Sequence, residues 1–275
     1  MELTSDALVR LIIDRLECVQ DDLRTQWSNP LGVRTRHFVL DGLLPDEVAA
    51  QIALAFPKDG TGFFGLDSFR ERKRTLGQLG KTDPVLSAIC IALQHPDVIG
   101  LISKITSMAA LEGDRSFYAG GLSMMFPGDF LNPHIDNSHD GDRARYRRIN
   151  LLYYLNDNWD EASGGNFELW DPKVTKQKTI VSGFNRLVAM ETNRESWHSV
   201  SKVLTDHPRC CVSNYYFSKI SPDGSTYFHV TSFTGRPGEK FRRVIGPIDN
   251  TLRNLILHTF KNFVPGKNRA DKDVG

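Results

Sequence analysis

Phe126-Pro-Gly-Asp-Phe-Leu-Asn-Pro-His-Ile-Asp136 sets a Pro-Gly turn ahead of a short run that ends in a histidine and an aspartate two positions apart. A turn followed by such a run reads as a strand entered from a tight reversal. In a strand, residues two apart share a face, so His134 and Asp136 are directed to the same side and can reach one ion. Around this stretch, short runs rich in Tyr, Phe, Val, Ile and Leu are separated by Pro127-Gly128, Gly164-Gly165 and Ser182-Gly183. This pattern predicts an all-β region over residues 116–235.

The flanks read differently. Leu8, Leu11, Ile12 and Leu16 recur at helical spacing, a second helical stretch follows Pro45 (Glu47 to Phe56), and a third, more apolar one runs from about Pro84 to Leu111 with a break near Pro96. Residues 1–115 are therefore expected to be mainly helical. Beyond Gly235-Arg236-Pro237-Gly238, Leu252, Leu255, Ile256 and Phe260 again have helical spacing, closed by Pro265, so 236–275 is expected to be a helix and tail. No repeat and no long linker divides the chain. The expectation is one domain, 1–275: a mainly β core buttressed by N-terminal and C-terminal helices.

The 34 basic and 33 acidic residues leave a formal charge of +1, which offers no global attraction to nucleic acid or an acidic membrane surface. The four cysteines, Cys18, Cys90, Cys210 and Cys211, lack zinc-site spacing and are too few for a disulfide framework, so reduced thiols are expected. Met1 to Ser28 carries charges throughout and resembles neither a signal peptide nor a membrane span, which points to a cytoplasmic protein.

A third metal ligand is offered by His198, in Glu195-Ser-Trp-His-Ser-Val, where a further strand is expected to open. Two histidines and one carboxylate on one face of an ion leave the opposite face free, which suits Fe(II) with exchangeable positions. A histidine two residues from an aspartate is common by chance, and His139, His207, His229 and His258 need no metal. The surrounding sequence gives the pair its weight.

From Tyr118 to Phe217 the chain resembles the prolyl-hydroxylase-like branch of the 2-oxoglutarate and Fe(II)-dependent oxygenases. Four motifs carry the resemblance in order: the quoted stretch through Asp136-Asn; Arg148-Ile-Asn-Leu-Leu-Tyr-Tyr-Leu-Asn-Asp-Asn-Trp159; Gly164-Gly-Asn-Phe-Glu-Leu169; and His198 followed by Arg209-Cys-Cys-Val-Ser-Asn-Tyr-Tyr-Phe217. The resemblance implies a double-stranded β-helix, a jelly roll of cupin type, which agrees with the β core read independently. It implies His134, Asp136 and His198 as iron ligands, with 2-oxoglutarate and O2 as cosubstrates.

The distal carboxylate of 2-oxoglutarate calls for a buried cation, and the resemblance assigns that task to Arg209, eleven residues after His198, helped by the hydroxyl of Tyr154. In a strand, Arg209 shares its face with Cys211, Ser213 and Tyr215, and Tyr154 shares its face with Asn150 and Leu152. Where many relatives have tyrosine before the Pro-Gly turn, this chain has Phe126, which receives no cofactor role. The charged run Asp140 to Arg148 is expected to be a solvated loop, with the alternative that one of its arginines meets substrate at the pocket mouth, and Gly164-Gly165 to serve the backbone. The implied reaction is hydroxylation of an unactivated C–H in an amino acid, peptide or small metabolite, with release of succinate and CO2. The alternative is a metal-binding cupin-like barrel with a binding or regulatory role and no oxygenase activity.

Overall fold

The amphipathic opening segment folds as α1 (Ser5–Cys18), whose Leu8, Ile12 and Leu16 are buried and whose first turn is capped by the Thr4 hydroxyl accepting from Ala7 N–H. A computed structural model describes residues 3–77, 79–114, 117, 120–239 and 243. Next come α2 (Gln20–Ser28), α3 (Asp46–Leu54), α4 (Pro84–Leu93) and α5 (Pro96–Thr106). The last two start on proline, where the missing N–H costs nothing, and the side chains of Asp83 and His95 accept from the first-turn amides.

This stretch also contains strands, which departs from the mainly helical reading of 1–115. β1 (His37–Asp41), β2 (Phe64–Asp67) and β3 (Glu71–Leu76) all join the main sheet. β3, Glu-Arg-Lys-Arg-Thr-Leu, has no apolar alternation. Its extended form is imposed by its neighbours: residues 74–76 pair with one strand of the core and residues 71–72 with another.

The core strands are β4 (Glu112–Gly113), β5 (Gly121–Met125), β6 (Phe130–Ile135), β7 (Tyr146–Tyr154), β8 (Phe167–Trp170), β9 (Gln177–Ile180), β10 (Arg186–Glu191), β11 (His198–Val200), β12 (Arg209–Ser218) and β13 (Ser232–Phe233). Pairing is antiparallel, in the order β1-β10-β7-β12-β5-β3-β6-β11-β8-β9, with β13 on β6, β2 on β3 and β4 on β12. The sheet curls into a jelly-roll half-barrel, with β3 bridging β5 and β6, as the double-stranded β-helix expectation requires.

Alternation along β7 and β12 divides the molecule. Ile149, Leu151 and Tyr153 from β7, with Val212 and Tyr216 from β12, enter one apolar cluster with Leu8, Ile12, Leu86, Ile89 and Ile102 of the helices. Each fully buried aliphatic side chain there stabilises by about 2 kcal/mol. The opposite positions, Asn150, Leu152, Arg209, Cys211, Ser213 and Tyr215, line the cavity inside the curl. The helix expected over Leu252 to Phe260 lies outside the described residues.

Candidate metal and cosubstrate site

His134 and His198 are direct cross-strand partners on β6 and β11, with ring centroids 4.0 Å apart. Asp136 follows the end of β6. His134 Nε2 lies 3.5 Å from Asp136 Oδ1, and His198 Nε2 lies 3.6 Å from Asp136 Oδ2. One ligand atom from each residue falls within 4.8 Å of the others. Each imidazole directs Nδ1 to a backbone carbonyl, His134 to Asn132 O and His198 to Ser196 O, both at 2.9 Å. Those carbonyls accept from Nδ1–H, which leaves the Nε2 lone pair free for a metal. Burial, and next the neighbouring His134, push His198 down to about 3, so it is neutral at ordinary pH, the form able to bind a metal.

Burial alone would raise the Asp136 carboxyl, but the Arg147 guanidinium above all holds it well below the usual carboxylate range. Arg147 Nη1 sits 3.1 Å from Asp136 Oδ2, and Asn150 Nδ2 donates to the same oxygen at 2.7 Å. Arg147 reaches it because of a register slip. β12 and β7 pair regularly from Cys211 opposite Tyr154 to Tyr216 opposite Ile149, and then Phe217 lies opposite Arg147, so Arg148 has no partner in the ladder. The extra residue reverses the alternation and turns Arg147 toward Asp136, whereas Ile149 faces the helices.

The expected solvated loop over Asp140 to Arg148 is thus corrected. Its last residues, from Tyr146, are strand, and the Arg147 side chain is 4% exposed. Arg145 pairs with Asp140 and Glu112, and Arg148 donates to Ile220 O.

A cavity of about 110 Å3 runs from His134, Asp136 and His198 to Arg209. Arg209 is 3% exposed; its Nε donates to Ser182 Oγ at 3.3 Å, and Nη1 points at Met125 Sδ, 3.7 Å away. Among the described residues no carboxylate lies within ion-pair distance of it, and a buried cation without an anion is costly. Its Cζ lies 4.8 Å from the centre of the Tyr154 ring. Tyr154 is fully buried, and its hydroxyl completes no hydrogen bond of ordinary geometry among the described residues. Burial pushes this phenol up, offset only in part by Arg209. A buried guanidinium in one cavity with a two-histidine, one-carboxylate set fits Fe(II) and a dicarboxylate chelating it, and Tyr154, which is absent from the cavity lining, stands behind Arg209 with its ring against the guanidinium.

Gly164 and Gly165 both have left-handed backbone, φ +65° and +59°. A Cβ on Gly165 would stand 2.9 Å from the Trp159 ring and 3.0 Å from Arg209 Cδ, so this glycine seats the arginine as well as turning the chain. Phe126 is absent from the cavity lining; its ring packs under Arg74, 4.1 Å from Cζ.

Sequence reasoning missed several neighbours of the site. Ser182, read as a turn residue, anchors Arg209. Lys73 and Thr75 of β3 line the cavity, and Phe233 of β13 stacks on His134 with centroids 5.2 Å apart. Ser182 alone carried a signal, its place beside a glycine in a strand-rich region; the others arrive from segments with no motif of their own.

The sequence model of the 2OG-Fe(II) oxygenase superfamily matches residues 120–217. Prolyl 3-hydroxylase OGFOD1 of Mus musculus is 32% identical over 96 residues, which is 33% of this chain and 17% of that protein, so the match spans about a sixth of that relative's length. Among solved structures, the prolyl hydroxylase of Trichoplax adhaerens, in complex with a hypoxia inducible factor oxygen degradation domain peptide fragment, superposes with a TM-score of 0.51 at 17% identity, covering 81% of this chain and 94% of that one. A prolyl 4-hydroxylase of Phytophthora capsici gives a TM-score of 0.55 at 15% identity, covering 90% and 77%. At these identities the two structures bear on the fold, and they agree with the curled antiparallel sheet.

Proposed function

We propose, from the match of the 2OG-Fe(II) oxygenase superfamily model to residues 120–217, that the chain is a hydroxylase in which His134, Asp136 and His198 hold Fe(II) while Arg209 and Tyr154 hold 2-oxoglutarate. The observation that carries the reading is the shared cavity: three side chains able to hold a metal ion at one part of its wall, and at another a buried arginine with no carboxylate partner among the described residues. When bound, Fe(II) with 2-oxoglutarate and O2 supplies the oxidising power for C–H hydroxylation, with succinate and CO2 released.

The protein's own residues bind, orient and exclude water. Nδ1 contacts to Asn132 O and Ser196 O fix both imidazole tautomers. Arg209 and Tyr154 receive the distal carboxylate with a charged fork and a hydroxyl, and the apolar walls, Leu152, Phe167 and Val200 among them, keep the chelating end dry. Arg209 and Tyr154 also argue against a metal-binding barrel without oxygenase activity, which has no need of a carboxylate receptor.

For substrate we propose a prolyl residue within a peptide first, and other amino acids or small metabolites second. Support comes from the named activity of the mouse relative and the peptide held by the Trichoplax adhaerens enzyme. The test supplies Fe(II), O2 and 2-oxoglutarate with a panel of proline-containing peptides, amino acids and metabolites. The expected result is substrate-stimulated succinate release with a gain of one oxygen in the substrate. His134→Ala, Asp136→Ala and His198→Ala should each lose both iron and turnover; a His198→Ala protein with normal iron and full activity would end the assignment.

A further inference from the structure

We infer that Arg147 is a positioning residue of the metal site, binding one oxygen of Asp136 so that the other, Oδ1, is left as a single-point ligand. The inference rests on the reading of His134, Asp136 and His198 as a metal site. Its basis is an inventory of lone pairs. A carboxylate oxygen has about two acceptor directions. At Oδ2 both are taken, by Arg147 Nη1 at 3.1 Å and Asn150 Nδ2 at 2.7 Å. Oδ1 accepts from neither and faces His134 Nε2 at 3.5 Å, whereas Oδ2, although 3.6 Å from His198 Nε2, has both acceptor directions occupied.

Arg147 is itself held on three sides. Its Nη2 donates to Asn137 Oδ1 at 2.8 Å, its Cζ lies 4.2 Å from the centre of the Tyr215 ring, and it lies 5.8 Å from that of Phe217. With a 4% exposed side chain, the guanidinium cannot move to solvent without leaving Asp136 as a buried, unpaired charge. Nearby arginines of the same run are engaged elsewhere: Arg145 with Asp140 and Glu112, Arg143 over Phe228. The register slip at Arg148 is what delivers this one to the metal side.

Such an outer partner fixes the orientation and denticity of a ligand, and its loss costs metal affinity more than it costs the fold. The experiment titrates the full chain with Co(II) as a spectroscopic stand-in and, separately, the Co(II)-loaded protein with 2-oxoglutarate. Arg147→Met, which keeps the stem over Tyr215, should weaken Co(II) binding by roughly ten- to a hundredfold and change the Co(II) d–d bands, because Asp136 becomes free to bind through both oxygens. Arg147→Lys should fall between Met and the parent, since it restores charge without the fork. Asn137→Ala, which removes the anchor of Nη2, should weaken Co(II) by a few-fold. Arg209 is untouched, so 2-oxoglutarate affinity of the loaded variants should change far less than metal affinity; a merely structural role would move both together.

Parent-like Co(II) affinity and bands in Arg147→Met overturn the inference. Should that variant not fold, parent-like values in both Arg147→Lys and Asn137→Ala overturn it equally. His134→Ala serves as the control. If it leaves Co(II) binding intact, the metal site itself is wrong and the role of Arg147 falls with it; if it abolishes binding while the Arg147 variants are unaffected, the metal site stands and this inference alone fails.

Discussion

Arg209 is enclosed by a serine hydroxyl, a thioether and an aromatic face, none of which neutralises its charge. If that charge is completed by the distal carboxylate of 2-oxoglutarate, Arg209→Ala removes about 3 kcal/mol, roughly a hundredfold in 2-oxoglutarate affinity, and leaves metal binding intact. Arg209→Lys should recover part of the loss, because an ammonium supplies charge without two parallel donors. Tyr154→Phe should cost about 1.5 to 3 kcal/mol, the worth of a hydrogen bond to a charged group. Titration of the metal-loaded variants, followed by the visible absorption of the chelate, measures all three. Gly165→Ala tests the seat beneath the arginine: its Cβ would press on Arg209 Cδ and Trp159 from a left-handed backbone. Weakened 2-oxoglutarate binding with metal affinity retained is the expected outcome, and an unchanged 2-oxoglutarate titration would show that Gly165 serves the turn alone.

Among the elements, β6 does the most with the fewest residues. It carries His134 on its cavity face, pairs through that residue with His198 on one side and through the same residue with Phe233 of β13 on the other. Phe233 is 6% exposed, stacks on the His134 ring and packs with Met125, Leu131 and Val200. Phe233→Ala should therefore do two things: open a cavity that costs about 3 kcal/mol of stability, and loosen His134 so that metal binding weakens. Phe233→Leu should restore most of the stability without the stacked ring. Denaturant unfolding of the metal-free protein and Co(II) titration of the folded protein separate the two effects, and a Phe233→Ala protein with parental metal affinity would show that β13 is packing and not support for the ligand.

At the scale of the molecule, acid should destabilise the metal-free protein. His37, His139, His198 and His229 are all pushed below the ordinary histidine value, with burial as the largest cause in each. A histidine whose folded pKa is lowered binds fewer protons folded than unfolded. Stability is then full above the unfolded value near 6.5 and falls as pH drops toward the folded one, by at most about 1.4 kcal/mol per pH unit for each such group. Asp136, also lowered, adds a loss in the same direction below about pH 4. Denaturant midpoints measured with chelator from pH 8 to pH 4 should fall on acidification; a flat profile would contradict the burial of these rings. We also propose that the N-terminal helices are supports and not a separable unit, since Leu8, Ile12, Leu86 and Ile102 share one cluster with Leu151, Tyr153 and Val212. Limited proteolysis should release no stable, active fragment beginning near residue 116.

Local chemistry was legible in the chain itself. Strand alternation put Arg209, Cys211, Ser213 and Tyr215 on one face of their strand and Asn150, Leu152 and Tyr154 on one face of theirs, and the spacing of His134 and Asp136 brought two candidate ligands together, because period-two alternation is a property of neighbouring residues. Helical spacing likewise marked Leu8, Ile12 and Leu16, all buried. The tertiary structure decided what depends on partners distant in sequence: that β3, without an alternating pattern, becomes a strand between β5 and β6, and that Ser182 anchors an arginine 27 residues away. It decided the fate of Arg147 as well. A one-residue slip against β12 reverses which face a side chain takes, and a slip is a relation between two strands that neither strand's own sequence encodes.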